Sequence, residues 1–408
     1  MKLATPGGPH LGYCTNIHPG ESWAEVRANI ERHVTGVRSR VCPDRPLGVG
    51  LRLGMVAARE LGAPGVALRA RDWLEAQGLY VFTVNGFVHG RFHGTRVKED
   101  VYLPDWTDGE RLAYTRGLAG VLADLAPEGE EVSISTVPGA FKPRASTPEA
   151  RAGIAEQLRR QAADLAGHAR RGRRIVLALE PEPCCMLETV AETVAFFEDE
   201  LCVRSSLARF AELADVEPSQ AEALLRAHVG LCLDTCHAAV ELETPREAVR
   251  ALGAAGIRIA KLQLSAGLRI ARVDAEALAH LAAFDEPVYL HQVVERDGGG
   301  AVRRFVDLAD AFAAARAEGF ARAREWRVHF HVPVFLERLE RFEGTQPFLA
   351  EILDMVRGEP VAPHLEVETY TWDVLPEALR RVDVVTAVAR ELGWVLDRLG
   401  EAPREGAP

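Results

Sequence analysis

A closed (β/α)8 barrel is the fold this sequence predicts, on three observations. Short apolar runs recur along the whole chain, longer stretches with helical spacing separate them, and the runs number eight. They are "LGYCTNI" (11–17), "LYVFTVN" (79–85), "EVSISTV" (131–137), "RIVLALE" (174–180), "VGLCLD" (229–234), "IRIAKLQL" (257–264), "WRVHFHV" (326–332) and "HLEVETY" (364–370). Their richness in Val, Ile and Leu is that of strands covered on both faces. Strand-then-helix units repeated this often favour barrel closure over an open doubly wound sheet.

The connecting stretches follow in order. After the first run, "SWAE" (22–25) places Ser22 at an N-cap with Glu25 three residues on, a capping box. "SRVCPDRPLGVGLRLGMVAARELGAPG" (39–65) predicts a second helix before the second strand. The second strand leads into "NGFVHGRFHGTRVKEDVYLPDW" (85–106), a long loop too aromatic for a mere connector. Thr147 before Pro148 and Thr244 before Pro245 suit N-cap and first helical position. "VYLHQVVERDGGGAVRRFVDL" (288–308) reads as a β-hairpin with a Gly-rich turn, inserted after strand six. The barrel is expected over 1–400, with a disordered tail at 401–408.

Composition narrows the partners. A chain that is 48% hydrophobic and 26% charged has the balance of a soluble protein with a large core. Its net charge of −11, with both signs interspersed, argues against nucleic acid or an anionic membrane surface. No run reaches the roughly 18 apolar residues of a membrane span, and the start lacks a signal-peptide core. Seven cysteines without a CxxC pair point to reduced thiols and a cytoplasmic location. No GxGxxG or GxxxxGK[ST] follows an early strand, so no phosphate cradle is expected.

Barrel active sites gather at the C-terminal ends of the strands, so the residues closing each run are the candidates. Glu180 closes the fourth, Asp234 the fifth, Gln263 the sixth, and Glu366 and Glu368 the eighth. The seventh ends in "HFH". Side chains two apart share a strand face, and the one nearer the end is the better candidate, which selects His331 over His329 and Glu368 over Glu366. Asp234 suits either a helix N-cap or a ligand. His237 faces the same mouth, and Lys261 or His331 would steady an oxyanion there. His18 at the rim and Phe87, His89, His93 and Lys98 on the long loop would form a pocket wall. Cys232 and Cys236 read as buried small residues, since no base accompanies them. Crowded carboxylates with an amide oxygen suit a divalent ion, Mn, Mg or Zn.

On these residues the chain resembles the xylose-isomerase-like barrel superfamily of sugar isomerases and epimerases. "LALEPEP", "LCLDTCH" and "HLEVETY" are similar to its Glu strand, its Asp-x-x-His strand and its final Glu strand. The resemblance implies a metal held by Glu180, Asp234 and Glu368, proton transfer by Glu180 and Glu368, and a substrate contact at His237. Where the superfamily commonly has a sixth-strand His, this chain reads "KLQL", so Gln263 is expected to complete an oxygen-only site suiting manganese or magnesium better than zinc. A closer resemblance is to the EboE-type metabolite-traffic family. "HLGYCTNIHPGESW", "NGFVHGRFHG", "VYLPDW", "KLQLSAGL", "HFHVPVF" and "LEVETYTWDVLP" carry it across nearly the whole chain. It implies a pathway that moves a metabolite precursor, with other proteins of that pathway as partners. Two functions follow: a metal-dependent enzyme on a polyhydroxylated or carbonyl-containing small metabolite, or a barrel that binds and hands over a metabolite without turning it over.

Overall fold

The computed structural model describes residues 1–339 and 341–401. The chain opens with β1 (His10–Cys14), β2 (Leu47–Arg52), β3 (Leu79–Asn85), β4 (Val132–Thr136), β5 (Ile175–Leu179), β6 (Val229–Asp234) and β7 (Ile259–Leu264). It continues through β8 (Leu268–Ile270), β9 (Val293–Asp297), β10 (Val302–Phe305), β11 (Arg324–Val328), β12 (Arg338–Leu339) and β13 (Phe342–Gly344), and returns as β14 (His364–Val367). The first seven strands and β14 form a closed parallel barrel, with β14 between β7 and β1. Helices connect successive barrel strands, and the strands are almost wholly buried. The fold is therefore the expected α/β barrel.

One of the eight expected strands needs correction, and one barrel strand was not among the eight. The second barrel strand, β2, lies in the stretch read as helical. Its sequence "LGVGLR" has two glycines in six residues, a weak strand signal. The glycines answer to packing inside the barrel: a Cβ on Gly48 would lie 2.8 Å from the Phe82 ring, and one on Gly50 would lie 1.4 Å from Glu366 Oε1. The run at 326–332 contributes no barrel strand. Its core, β11, sits in a six-stranded sheet ordered β10-β9-β11-β8-β13-β12, and its paired contacts there are antiparallel. The alternation in "REWRV" explains this, since Trp326 and Val328 are buried while Glu325 and Arg327 are half-exposed. The expected hairpin exists as β9 and β10, but as part of this larger sheet, and it follows the seventh barrel strand. The long aromatic loop likewise follows the third.

Local signals hold at the helix starts. Ser22 and Glu25 form the capping box, and Thr147 caps the helix Pro148–Arg170 through Ala150 N. Of the tail, Glu401 accepts a hydrogen bond from Thr5 N at 2.6 Å, and residues 402–408 lie outside the described residues. Among the described residues no helix is long and apolar enough to cross a membrane.

The barrel interior holds an ion pair. Lys261 on β7 and Glu366 on β14 are both fully buried, with Nζ 2.5 Å from Oε2, and Lys261 also donates to Ser135 Oγ at 3.2 Å. Burial opposes the charge on Lys261, but the Glu366 carboxylate outweighs it and raises the lysine pKa. Gly50→Ala would drive a methyl group into Glu366 and break this pair. Uncompensated buried charge costs about 3–5 kcal/mol, so the variant should lose stability on that scale in urea unfolding, whereas Gly90→Ala, with open space around it, should stay near wild type.

Candidate functional site

Three carboxylates meet at the C-terminal mouth. Glu180 follows β5, Asp234 ends β6 and Glu368 follows β14, and each offers an oxygen within 4.8 Å of the others. Asp234 is the helix cap its position suggested. Its Oδ1 caps the helix Thr235–Val240, accepting from Cys236 N at 2.7 Å and His237 N at 3.0 Å, and also accepts from Ser265 Oγ at 2.6 Å. Its Oδ2 is buried without a hydrogen-bond partner, as is Glu180 Oε2. Glu368 Oε1 accepts from Asn16 Nδ2 at 2.5 Å and Asn85 Nδ2 at 3.3 Å.

Gln263 stands between the two glutamates and differs from the expectation. Its Nε2 donates to Glu180 Oε1 at 3.1 Å and to Glu368 Oε2, while its Oε1 accepts from Cys232 Sγ at 3.1 Å. It therefore presents N–H groups to the mouth, not a ligating carbonyl. An amide turned the other way would set its oxygen against two carboxylates. Burial, and then the neighbouring Glu368, pushes the Glu180 carboxyl well above its ordinary range. Burial works against ionised Asp234 too, but His237 and His331 outweigh it and hold its pKa down.

A histidine chain flanks the carboxylates, and its protons can be placed. Gln292 Nε2 faces Glu182 Oε1 at 3.0 Å and Pro183 O at 3.2 Å, so Gln292 Oε1 accepts from His329 Nδ1 at 2.8 Å. His329 Nε2 lies 3.0 Å from His237 Nε2, a contact that takes one shared hydrogen. His237 Nδ1 also meets only an acceptor, Pro181 O at 2.9 Å. With both Nδ1 atoms donating, the shared hydrogen makes one ring of the pair an imidazolium, and the surroundings favour His237. Burial opposes that charge, but Asp234 and Glu182 raise its pKa, while burial and His237 push His329 well below the usual value. His331 Nδ1 donates to the Glu368 main-chain oxygen at 3.0 Å.

Above these groups lies a cavity that encloses, with its open mouth, about 540 Å3 of space. Its floor is polar, with Asn16, Asn85, Glu180, Glu182, His237, His329 and Glu368. Its roof is apolar, with Phe87, Phe92, Val97, Val101, Tyr289 and Tyr370. The roof joins the long loop to the insertion, because Val97 N donates to Val288 O at 2.8 Å and Lys98 Nζ pairs with Asp307.

Several expected residues fall elsewhere. Lys261 is sequestered in the barrel by Glu366 and Ser135 and does not line the cavity. His18 stacks on His33 with ring centres 4.5 Å apart, and His89 packs edge-on against Tyr114; neither lines the cavity. His93 braces it from behind, with Nε2 donating to Asn16 O at 2.5 Å and Nδ1 accepting from Tyr289 OH at 3.2 Å. Phe87 is where it was expected. Asn16, Asn85 and Glu182 were missed, and of the two histidines it is His329, set aside in favour of His331, that lines the cavity. Both asparagines close barrel strands or follow them directly, so the strand-end test would have found them had amides been admitted.

No protein-family model matches the chain, and no curated protein matches it. Among solved structures it is similar to the probable 3-DHS dehydratase AsbF of Bacillus anthracis, at 12% identity over 94% of this chain and 97% of that one, with a TM-score of 0.44. It is also similar to the 3-keto-D-glucoside 4-epimerase YcjR of E. coli, at 14% identity over 95% and 99%, with a TM-score of 0.39. A xylose isomerase domain containing protein of Salmonella typhimurium gives 12% identity over 98% and 99%, with a TM-score of 0.39. These likenesses are distant, and the reading of the site rests on its own geometry.

The mouth fits a divalent cation on chemical grounds: buried, partnerless carboxylate oxygens point to a missing positive group. Without one, Glu180 favours its protonated form, which stabilises the fold below the ordinary carboxyl value of 4.5 and is lost as pH rises through the raised value. Glu180→Gln stays neutral throughout. In chelator-treated protein its stability should therefore gain on wild type as pH rises from 4.5, when both are followed by urea denaturation. Parallel pH profiles would contradict the assignment.

Proposed function

We propose that this protein is a metal-dependent enzyme of the sugar isomerase or epimerase kind, acting on a small polyhydroxylated or carbonyl-containing metabolite. The observation that carries the reading is the buried triad of Glu180, Asp234 and Glu368, with two partnerless oxygens at the base of a cavity in the barrel mouth. A divalent ion held by those three carboxylates would supply Lewis-acid polarisation of a substrate oxygen. The remaining chemistry belongs to side chains. Glu368, whose Oε1 is fixed by two asparagines, removes a proton from the carbon next to the carbonyl. Glu180, on the other side of the substrate, returns one. The imidazolium of His237 faces the negative charge that develops on the substrate oxygen. Glu182 receives Tyr102 OH at 2.8 Å on Oε1 and is placed to orient a substrate hydroxyl.

A second reading is a metabolite-binding barrel without turnover, in an EboE-type traffic pathway of the cytoplasm with other pathway proteins as partners. Gln263 favours it, since its amide spans Glu180 and Glu368 and partly relieves their repulsion with no ion at all. The whole-chain likeness of the quoted segments to the EboE type supports the pathway.

Two measurements separate the readings. Manganese-loaded protein should catalyse solvent deuterium exchange into a panel of ketoses and keto-sugars, and Glu368→Gln should lower that rate by about 10²–10⁴. Ligand binding without exchange in wild type would favour the traffic barrel. Asp234→Asn replaces an anionic ligand by a neutral one and should weaken manganese binding at least about tenfold, or roughly 1.4 kcal/mol, by calorimetry.

A further inference from the structure

The three mouth histidines differ in what their ring nitrogens have left to offer. His237 uses both, towards Pro181 and His329, and His329 uses both, towards Gln292 and His237. His331 uses only Nδ1. Its Nε2 is fully buried, has no hydrogen-bond partner and lies 4.0 Å from Asp234 Oδ2, itself without one. A ring that donates one N–H to a backbone carbonyl keeps a lone pair on the other nitrogen, which is the usual outer-shell arrangement of a metal-bound histidine.

The surroundings hold that ring in place. Val332 N donates to Ala266 O at 2.8 Å and Thr371 Oγ1 donates to His331 O, so segments following β7 and β14 clamp the residue from both sides. Tyr370 packs against the imidazole with ring centres 4.6 Å apart. Meanwhile Gln263, on the barrel strand itself, turns N–H groups towards the mouth.

We propose that His331 is the nitrogen ligand of the mouth cation, delivered by the segment after β11 of the inserted sheet on the Asp234 side of the carboxylate triad. The proposal rests on the metal reading above. It replaces the oxygen-only set by carboxylates and one imidazole, a donor set that binds manganese or zinc in preference to magnesium. The inserted sheet then has a chemical task as well as a roofing one.

Pulsed electron paramagnetic resonance of the manganese-loaded full chain tests this without reference to turnover. Wild-type protein should show the hyperfine coupling of a directly bound nitrogen, and labelling histidine with 15N should change it. His237→Gln and His329→Gln should keep the coupling, and His331→Gln should lose it, together with at least tenfold of the manganese affinity and little of the magnesium affinity. If His331→Gln does not fold, the labelled wild type and the other two variants still decide, because they leave His331 as the remaining mouth histidine. Coupling that survives in His331→Gln, or vanishes in His237→Gln, overturns the proposal. Manganese bound with no nitrogen coupling overturns it while leaving the carboxylate site standing. No manganese binding overturns both.

Discussion

Barrel closure forces like charges together, and much of the mouth answers to that constraint. Strands β5, β6 and β14 deliver three carboxylates whose oxygens lie within 4.8 Å of one another, out of contact with bulk water. At an effective dielectric constant of about 20, each such pair repels by roughly 3 kcal/mol or more. The local architecture reads as a set of responses. Gln263 spans two of the carboxylates with N–H groups, Asn16 and Asn85 hold the third oxygen edge, and the His237 imidazolium faces Asp234. Beneath them Lys261 neutralises Glu366, so the next carboxylate down adds little to the crowding.

The insertion between β7 and β14 supplies what the barrel lacks. A bare barrel would present its polar floor to solvent. Instead, the segments flanking the insertion's antiparallel strands bring Tyr289 and His329 to the cavity wall, while His331 lies behind it, and the loop after β3 meets them through Val97 and Lys98. Roof and floor are thus built from different parts of the chain, an apolar wall over an acidic base. That division suits a substrate whose reacting end is polar and whose remainder tolerates apolar contact.

The fold was legible because two-sided burial writes itself as apolar runs. It was misread where that rule bends. β2 carries glycines because neighbouring side chains, Phe82 and Glu366, occupy the space a Cβ would take, so its strand character is set by partners distant in sequence. β11 alternates because one of its faces packs apolar side chains and the other carries the paired charges Glu325 and Arg327. The acidic ligands were legible as strand ends, whereas the facing of Gln263 was not. An amide is donor and acceptor at once, and which end faces the mouth is decided by Cys232 and two glutamates from other strands. Lys261 and Gln263 share a strand face, yet a partner on β14 draws the lysine away from the mouth.

The central claim is that the carboxylate triad is a cation site. Crystals grown with manganese, with data collected above and below its absorption edge, test it most directly. The account predicts an anomalous peak bounded by Glu180, Asp234 and Glu368. A mouth without a peak, with Gln263 still spanning both glutamates in protein saturated with manganese, would contradict it.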